Sequence, residues 1–295
     1  MDNKVLEQHI TLKKYINEED YIKINELQDI CIKEDRINLK VELEYRMQIP
    51  KNYEKNLNDI NEFLYYMNNE LVGYIGISNF GGNAAELNGM VHPIWREKGM
   101  FTKLCNMAME ETKIRNFNEI LLLCDEKSSK AIEFIKAIGG SYSFSECRMK
   151  HTCRDINENN KEVSLREAIN EDIKEIKKLN TVLFGDDKNE EILLKNEEEN
   201  NIITYLIELE GKVIGKIKVE REENKAFICG FGIYPEFRSK GYGRQALTET
   251  LNIINKGYIF DIELDVAIEN KKALNLYKSC GFKEQSLMNY YEVIK

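Results

Sequence analysis

The apolar positions of this chain follow the same order of spacings twice. An apolar run at residues 10–15 precedes Asn17, a residue type that caps helix N-termini, and apolar residues three or four apart follow. A second apolar run at residues 163–168 precedes Asn170, and apolar residues at helical spacing follow again. The pattern therefore predicts two similar openings, each a strand and then a helix. The helical positions are Ile24, Leu27 and Ile30 in the first copy and Ile173, Ile176 and Leu179 in the second.

A hairpin, a glycine-containing turn and two further helices are predicted after each opening. The hairpin turns lie at residues 68–70 and 210–212, where Asn, Glu and Gly separate two apolar runs. The remaining order in each copy is strand, turn, helix, strand, helix and final strand, so the chain mixes helices with sheet throughout. The predicted strands are 63–67, 71–78, 119–124 and 141–150 in the first copy and 202–209, 213–219, 227–233, 259–266 and 290–294 in the second. The predicted helices are 129–138, 271–280 and one that begins near Arg244 and carries Leu247, Leu251 and Ile254.

A constant offset relates the two copies and indicates a tandem duplication. Residues 71–75 match residues 213–217 at a shift of 142 (213 − 71), and the same shift relates three anchor pairs. The two openings differ by 153 (170 − 17), so the first copy has about eleven extra residues, which fall within 35–55. We predict domains at 1–150 and 151–295, with the boundary in the polar stretch 152–161. The anchor pairs are Pro93 with Pro235, Gly99 with Gly241, and Gly139 with Gly281.

Composition limits the classes of protein that fit this pattern. The 295 residues are 42% hydrophobic and 32% charged, with a formal net charge of −9, and no run is long enough to span a membrane. The negative charge disfavours nucleic acid as a partner and favours a cationic amine. Seven cysteines without a C-x-x-C pair and three scattered histidines favour reduced thiols and no metal. We expect a cytoplasmic protein, since no secretory signal follows Met1.

One basic turn in the second copy has the composition of a diphosphate site. It joins the apolar run 227–233 to the helix that begins near Arg244. The first N–H groups of a helix have no intrahelical acceptor, and glycines let backbone amides approach an anion closely. Three basic side chains add positive charge, although a plain surface loop would also fit the motif alone. The turn consists of Arg238, Ser239, Lys240, Gly241, Tyr242, Gly243 and Arg244.

The order of motifs in residues 162–295 resembles the GNAT superfamily of N-acetyltransferases. Besides the turn, Asn270, Tyr277 and the pair Gly281 and Phe282 carry this resemblance. It implies two tandem domains, each a mixed, mostly antiparallel central sheet flanked by helices, with an architecture similar to mycothiol synthase. It also implies acetyl-coenzyme A as co-substrate, with its diphosphate on the turn, Asn270 beside the cofactor, and the backbone of Phe231, Gly232 and Ile233 along the pantetheine arm.

Two side chains are candidates for the proton transfers of acetyl transfer to an amine. The resemblance makes Tyr277 the acid that protonates the departing thiolate, and its ordinary pKa of about 10 suits that task. The alternative is that Tyr277 is an ordinary buried aromatic residue. Glu220, at the end of a strand, is a candidate base, and a solvated surface carboxylate is the alternative. Asn270 also fits a helix N-cap, a role compatible with cofactor contact.

The first copy departs from the motif where the chemistry is expected. At a shift of 142, Tyr277 corresponds to Ile135, Asn270 to Ser128 and Gly243 to Phe101. Because Ile135 cannot donate a proton, we predict that residues 1–150 are a degenerate copy. This copy either supports the active domain, shapes the acceptor cleft or binds coenzyme A without turnover. Its candidate second cofactor site consists of Val91, Arg96, Glu97, Lys98, Gly99 and Met100.

Three functions fit the sequence. The first is an acetyl-CoA-dependent N-acetyltransferase that acts on a primary amine of a small molecule or peptide through a ternary complex, as a monomer or homodimer. The second is a coenzyme A-binding regulatory module without turnover. The third is an aminoacyl-tRNA-dependent transferase, against which the diphosphate turn and the acidic charge both argue. The acceptor depends on segments 35–55 and 183–196, whose pattern does not identify it.

Overall fold

The computed structural model describes residues 7–48, 59–80, 83–151, 162–185, 201–222, 224–257 and 261–293. The predicted boundary stretch 152–161 lies outside these residues, as do parts of segments 35–55 and 183–196. The chain forms two compact units. Unit 1 comprises Met1–Ser145 with Met288–Lys295, and unit 2 comprises Glu146–Leu287.

Unit 1 is a sheet whose faces carry helices, as expected for the first copy. Its strands lie in the order β1-β2-β3-β4-β5-β12, and every neighbouring pair is antiparallel except β4 with β5, which is parallel. The elements are β1 (Gln8–Lys13), α1 (Glu18–Asp35), α2 (Leu43–Gln48), β2 (Glu62–Met67), β3 (Glu70–Ser78), β4 (Ala84–Val91), α3 (Met100–Ile114), β5 (Glu119–Asp125), α4 (Ser129–Ala137), the first half of β6 (Gly140–His151) and the second half of β12 (Phe282–Val293).

Unit 2 repeats this arrangement. Its strands lie in the order β6-β11-β10-β9-β8-β7, with β10 and β11 as the parallel pair. The remaining elements are β7 (Val163–Glu167), α5 (Ile173–Phe184), β8 (Ile202–Leu209), β9 (Lys212–Glu222), β10 (Lys225–Ile233), α6 (Tyr242–Lys256), β11 (Asp261–Ala267) and α7 (Lys271–Ser279), with short 3-10 turns at Pro93–Trp95, Asn170–Asp172 and Pro235–Phe237.

Each unit takes its last strand from the other half of the sequence. The β5 edge of unit 1 pairs with Met288–Glu292 of β12. The β11 edge of unit 2 pairs with Glu146–Lys150 of β6. The compact units therefore differ from a simple division at residue 150, since residues 146–150 and 288–293 change places. Strand β12 also begins at Phe282, eight residues before the predicted start at Tyr290.

Local signals account for the element boundaries that the pattern predicted. Asn17 caps α1 in a capping box with Asp20, whose carboxylate accepts the Asn17 N–H while Asn17 Oδ1 accepts the Asp20 N–H. The β2–β3 hairpin turns through Asn68 and Asn69, both at positive φ (48° and 67°), as a tight hairpin turn requires. The mixed α/β fold with a mostly antiparallel sheet is confirmed.

The sheet of each unit has a principal apolar core on the face covered by its last two helices. In unit 2 this core joins Ile217, Val219 and Ile228 of the sheet with Leu247 of α6 and Tyr277 of α7. In unit 1 the corresponding core joins β2–β5 with α3 and α4. No helix within the described ranges is long and apolar enough to cross a membrane.

Candidate functional site

The basic turn of unit 2 presents backbone amides in front of helix α6. Ser239 and Gly241 both have positive φ (62° and 89°), and Gly241 is the N-cap of the helix with no side-chain cap. Alternating left-handed residues of this kind turn successive N–H groups toward one concave side, which is a common anion-binding arrangement. The first N–H groups of α6, at Tyr242 and Gly243, have no intrahelical acceptor. The turn therefore has the shape and polarity that a phosphate group needs.

The basic side chains of the turn have different tasks. Arg238 Nε donates a hydrogen bond to the Ile233 carbonyl (2.8 Å), which fastens the turn to the end of β10. The Lys240 ammonium lies 5.5 Å from the centre of the Phe237 ring. Arg244 is exposed on the first turn of α6. Arg238 thus stabilises the backbone of the turn, and Lys240 and Arg244 add exposed positive charge on either side of Gly241.

Strand β10 is irregular at the level of the turn. Its pairing with β9 shifts by one residue between Cys229 and Gly232, and Gly230 within this bulge has a φ of 53°. A bulge leaves backbone groups unpaired and redirects the strand. A Cβ atom on Gly232 would lie 2.7 Å from Leu183 Cδ1 of α5, so the helix packs directly on this bulge.

The parallel pair β10 and β11 is joined only at its beginning. The pairing runs from Lys225 opposite Asp261 to Phe227 opposite Glu263, and no residue after these is paired between the two strands. Backbone groups of β10 beyond Phe227 therefore form no hydrogen-bonded pairs with β11. Because Phe231, Gly232 and Ile233 lie in this part of β10, their main chain does not pair with β11 and is available on that side for an extended ligand.

Tyr277 lies at this opening. Its side chain is 8% exposed, and its ring centre is 6.4 Å from that of Phe231 and 6.0 Å from that of Phe282. No described residue forms a hydrogen bond with its hydroxyl. Burial, with a smaller effect of Cys280, raises the pKa of Tyr277 to about 12, so the phenol is protonated at neutral pH. Packing and proton donation are compatible, since the ring is fixed and the hydroxyl is left for another partner.

The other predicted side chains of unit 2 are separated by the sheet. Asn270 is the N-cap of α7, and its Oδ1 accepts the Ala273 N–H (3.1 Å). Glu220 lies on β9 and accepts a hydrogen bond from Cys229 Sγ (3.4 Å). Its neighbours Ile217 and Val219 alternate with it and face α6 and α7, so Glu220 is on the opposite sheet face from Tyr277.

The turn of unit 1 has the same backbone conformation, but its side chains have different partners. Glu97 and Gly99 have φ of 61° and 76°, matching Ser239 and Gly241. Arg96, a candidate for phosphate binding, forms two hydrogen bonds of 2.7 Å with Asp35, and its Nε donates to the Val91 carbonyl. Glu97 pairs with Lys130 (2.9 Å), which places a carboxylate where unit 2 has Ser239. The charge of this turn is thus largely neutralised within unit 1.

Comparison with known proteins identifies the fold. The model of the acetyltransferase (GNAT) family matches residues 26–139 and 169–282, which lie one in each copy. The chain belongs to the GNAT family of acetyltransferases. Its two GNAT domains in tandem confirm the expectation from the duplicated pattern.

Named relatives and solved structures agree with this family. An N-alpha-acetyltransferase of Sulfurisphaera tokodaii is 24% identical over 144 residues, which cover 44% of this chain and 86% of the relative. A spermidine N(1)-acetyltransferase of Vibrio cholerae is 42% identical over 57 residues, 18% of this chain and 31% of the relative. A GCN5-related N-acetyltransferase from Sphaerobacter thermophilus superposes with a TM-score of 0.80 at 17% identity, over 97% of this chain and 95% of that one. A tandem GNAT protein from the clavulanic acid pathway gives 0.70 at 12% identity, over 97% and 98%.

The first GNAT domain contains a cavity of about 470 Å³ at its own strand opening. It lies between β4 and β5, whose pairing ends at Leu87 and Leu122, and it reaches Val91, Gly99 and Met100 of the candidate second site. Its wall includes Ile135, the counterpart of Tyr277. In contrast to β10, strand β4 pairs with β3 without any shift of register. This GNAT domain thus has space for a ligand but lacks both the bulge and the tyrosine.

Two features of the second GNAT domain escaped the sequence pattern. The bulge had a signal, because Gly230 lies inside an apolar strand where glycine is otherwise unfavourable. The charged residues Arg148, Glu263 and Asp265, which meet on one face of the sheet, had only the alternation typical of a solvated strand. No group of three or more His, Cys, Asp or Glu side chains among the described residues could hold a metal ion.

Proposed function

We propose that this GNAT protein is an acetyl-CoA-dependent N-acetyltransferase that acts on a primary amine, with turnover in unit 2. The carrying observation is that Tyr277 lies beside Phe231 at the opening of β10 and β11, and that β10 leads into an amide-lined turn at the start of α6. The relatives named N-alpha-acetyltransferase and spermidine N(1)-acetyltransferase support an amine acceptor on a small molecule or peptide.

In this proposal the residues of unit 2 divide the work along the donor. The amides from Ser239 to Gly243, with Arg238, Lys240, Tyr242 and Arg244, hold the diphosphate of acetyl-CoA. The main chain of Phe231, Gly232 and Ile233, which is not paired with β11, orients the pantetheine arm. An N–H at the bulge polarises the thioester carbonyl, a contribution of about 3–4 kcal/mol when the geometry is right. Asn270 fixes the start of α7 and thereby the position of Tyr277.

Tyr277 gives its proton to the leaving sulfur in this scheme. The raised pKa keeps the phenol protonated over the whole neutral range, so its donor form is always present. The amine attacks directly within a ternary complex, and no acyl-enzyme is required. We place this activity in the cytoplasm, in a monomer or homodimer that binds no nucleic acid and no metal.

For unit 1 we propose ligand binding without turnover. Its cavity and its left-handed turn offer space for a thioester arm, whereas Ile135 cannot donate a proton. The same observation supports the regulatory alternative, in which coenzyme A bound to the chain is a signal and not a substrate. We likewise propose that residues 1–150 form the degenerate domain and residues 151–295 the catalytic one.

The Tyr277→Phe variant tests this assignment. The ring and its packing are kept, so we expect the Kd for acetyl-CoA to change less than about twofold, while kcat falls by about 10²-fold or more because a general acid is lost. Thiol release with a panel of amines measures turnover, and calorimetry measures binding. Tyr291→Phe, which removes the hydroxyl of an equally buried tyrosine of unit 1, is the matched control. An unchanged kcat in Tyr277→Phe would reject Tyr277 as the acid.

A further inference from the structure

The face of the unit 2 sheet that points away from α6 and α7 is ionic near the strand opening. Residues of β9, β10, β11 and β6 alternate, and the apolar ones belong to the core on the other face. The residues between them therefore share the opposite face. They are Lys216, Lys218 and Glu220 of β9, Phe227 and Cys229 of β10, Asp261, Glu263 and Asp265 of β11, and Glu146, Arg148 and Lys150 of β6.

Three of the corresponding positions in unit 1 are apolar, whereas Asp261 and Lys150 correspond to the charged residues Glu119 and Glu292. At the shift of 142, Glu263 corresponds to Leu121, Asp265 to Leu123 and Arg148 to Tyr290. Leu121, Leu123 and Tyr290 form a buried cluster with Met288, and Phe144 packs on it. The two copies share one backbone plan but differ at these three positions. The ionic groups are thus a property of the copy that also has the bulge and Tyr277.

Glu263 differs from the other acidic groups of this face. Arg148 is engaged with Asp265 through two hydrogen bonds (2.8 and 2.9 Å), and Lys150 pairs with Asp261 at 2.7 Å. The contacts of the Glu263 carboxylate are longer, at 3.8 Å to Arg148 Nη1 and 3.9 Å to Lys150 Nζ. No described residue donates a hydrogen bond to its carboxylate, although its side chain is only 24% exposed. Its oxygens therefore keep their capacity to accept a proton.

Glu263 also occupies a special register position. It pairs with Phe227, and these two residues are the last pair before β10 and β11 separate. In unit 1 the corresponding gap is lined by neighbouring residues whose side chains alternate between the sheet faces, such as Leu122 and Leu123. A group inserted into such a gap can thus be reached from both faces. In unit 2, Tyr277 lies on one face of the gap and Glu263 on the other.

We propose that Glu263 accepts the proton of the attacking amine, which approaches from the ionic face of unit 2. This inference rests on the proposed acetyl transfer. The nitrogen lone pair forms the C–N bond to the acyl carbon, and Glu263 takes a proton from that nitrogen. The C–S bond then breaks, and Tyr277 gives its proton to the sulfur. Glu263 loses its proton to solvent and Tyr277 regains one, so the sum is amine and thioester to amide and thiol.

The surroundings of Glu263 set the pH range in which it works. Burial, opposed by Arg148 and supported by Asp261, raises the pKa of the carboxyl, while Lys150 and Lys225 lower it. Of the other charged groups on this face, Asp265 is held by Arg148 and Glu220 accepts a hydrogen bond from Cys229. The rest are Lys216 and Lys218 of β9 and Glu146 of β6. Because only the ionised carboxylate accepts a proton, kcat falls as the pH drops through this raised pKa. The acidic limb of the plot of kcat against pH should therefore lie at a higher pH than an exposed glutamate would give.

Glu263→Gln tests this role, and Glu220→Gln tests the other candidate base of unit 2 in parallel. Glutamine keeps the size and polarity of the side chain, so we expect acetyl-CoA binding within about twofold of wild type and kcat lowered by about 10²-fold, with loss of the acidic limb. Glu220→Gln should keep that limb. Glu263→Asp, which retains a carboxylate, should recover part of kcat together with the limb, a rescue that a purely structural role would not produce.

The outcomes separate this inference from the function itself. If wild type and Glu220→Gln turn over and Glu263→Gln retains both kcat and the acidic limb, Glu263 is not the proton acceptor, while the acetyltransferase proposal stands. If Glu263→Gln is unstable, the pH profile of Glu263→Asp is the test. An acidic limb at the wild-type position with unchanged kcat would then reject Glu263 as the proton acceptor, whereas a lowered kcat with a shifted limb would support it. If the wild type releases no thiol with any amine of the panel, both proposals are wrong.

Discussion

Exchanging one residue between the two turns tests which of them holds a diphosphate. Glu97 and Ser239 occupy equivalent positions with nearly equal φ (61° and 62°), so the backbone of unit 2 accepts a glutamate without new strain. Ser239→Glu places a carboxylate at the mouth of the amide-lined turn. We expect this carboxylate to repel the diphosphate and weaken coenzyme A binding. The variant should fold normally, since unit 1 already has a glutamate in this backbone conformation at Glu97.

The size of the effect follows from Coulomb's law. Two like charges about 4 Å apart repel by about 1 kcal/mol in water and about 4 kcal/mol at an effective dielectric of about 20. Ser239 is exposed, so the lower part of this range applies, and a cost of about 1–2 kcal/mol weakens binding by about 5- to 30-fold. Salt screens exposed charges over about 8–10 Å, so the loss should shrink as ionic strength rises.

Calorimetric titration of coenzyme A into the full chain measures this loss at low and at high ionic strength. Ser239→Gln, which has a similar size and no charge, should bind within about threefold of wild type because no like-charge pair is created. Glu97→Ser in unit 1 should leave the Kd of the unit 2 site unchanged. Wild-type affinity of Ser239→Glu at low salt would show that the diphosphate does not sit on this turn.

Two further predictions concern stability and pH. Arg46→Met removes the buried partner of Glu62 (2.9 Å) in unit 1 and leaves a carboxylate that is 0% exposed, so urea unfolding should show a loss of about 3–5 kcal/mol, and an unchanged midpoint would contradict this. Burial lowers the pKa of His151, which packs on Phe282, so the unfolded chain binds a proton first as the pH falls below about 6.5. The free energy of unfolding should therefore decrease from pH 7.5 toward pH 5.5, and His151→Phe should flatten this slope.

The parts of the fold that the sequence predicted have local signals. Asn17 with Asp20 caps one helix, and the Asn68–Asn69 pair adopts positive φ because asparagine tolerates it. The repeat at a constant shift then carries the pattern of one copy to the other. The caps and turns depend on residues within a few positions of each other, so one copy of the pattern is enough to predict them.

The parts that the sequence did not predict depend on distant residues. Arg96 is occupied by Asp35, 61 positions away, so its charge cannot be counted as available from the motif alone. The exchange of residues 146–150 and 288–293 is set by pairing with β11 and β5, strands more than 100 positions away, so alternation within each segment does not reveal which sheet it joins. The ionic face around Glu263 likewise has the alternation of a solvated strand, and the role proposed for Glu263 depends on its register with Phe227.

A crystal structure of the full chain with bound coenzyme A tests the central claim most directly. The account predicts diphosphate density on the amides between Ser239 and Gly243, and the thiol end of the carrier between β10 and β11 beside Tyr277. Density for the carrier in the unit 1 cavity alone, or with its thiol directed away from Tyr277, would contradict the claim that unit 2 carries out the acyl transfer.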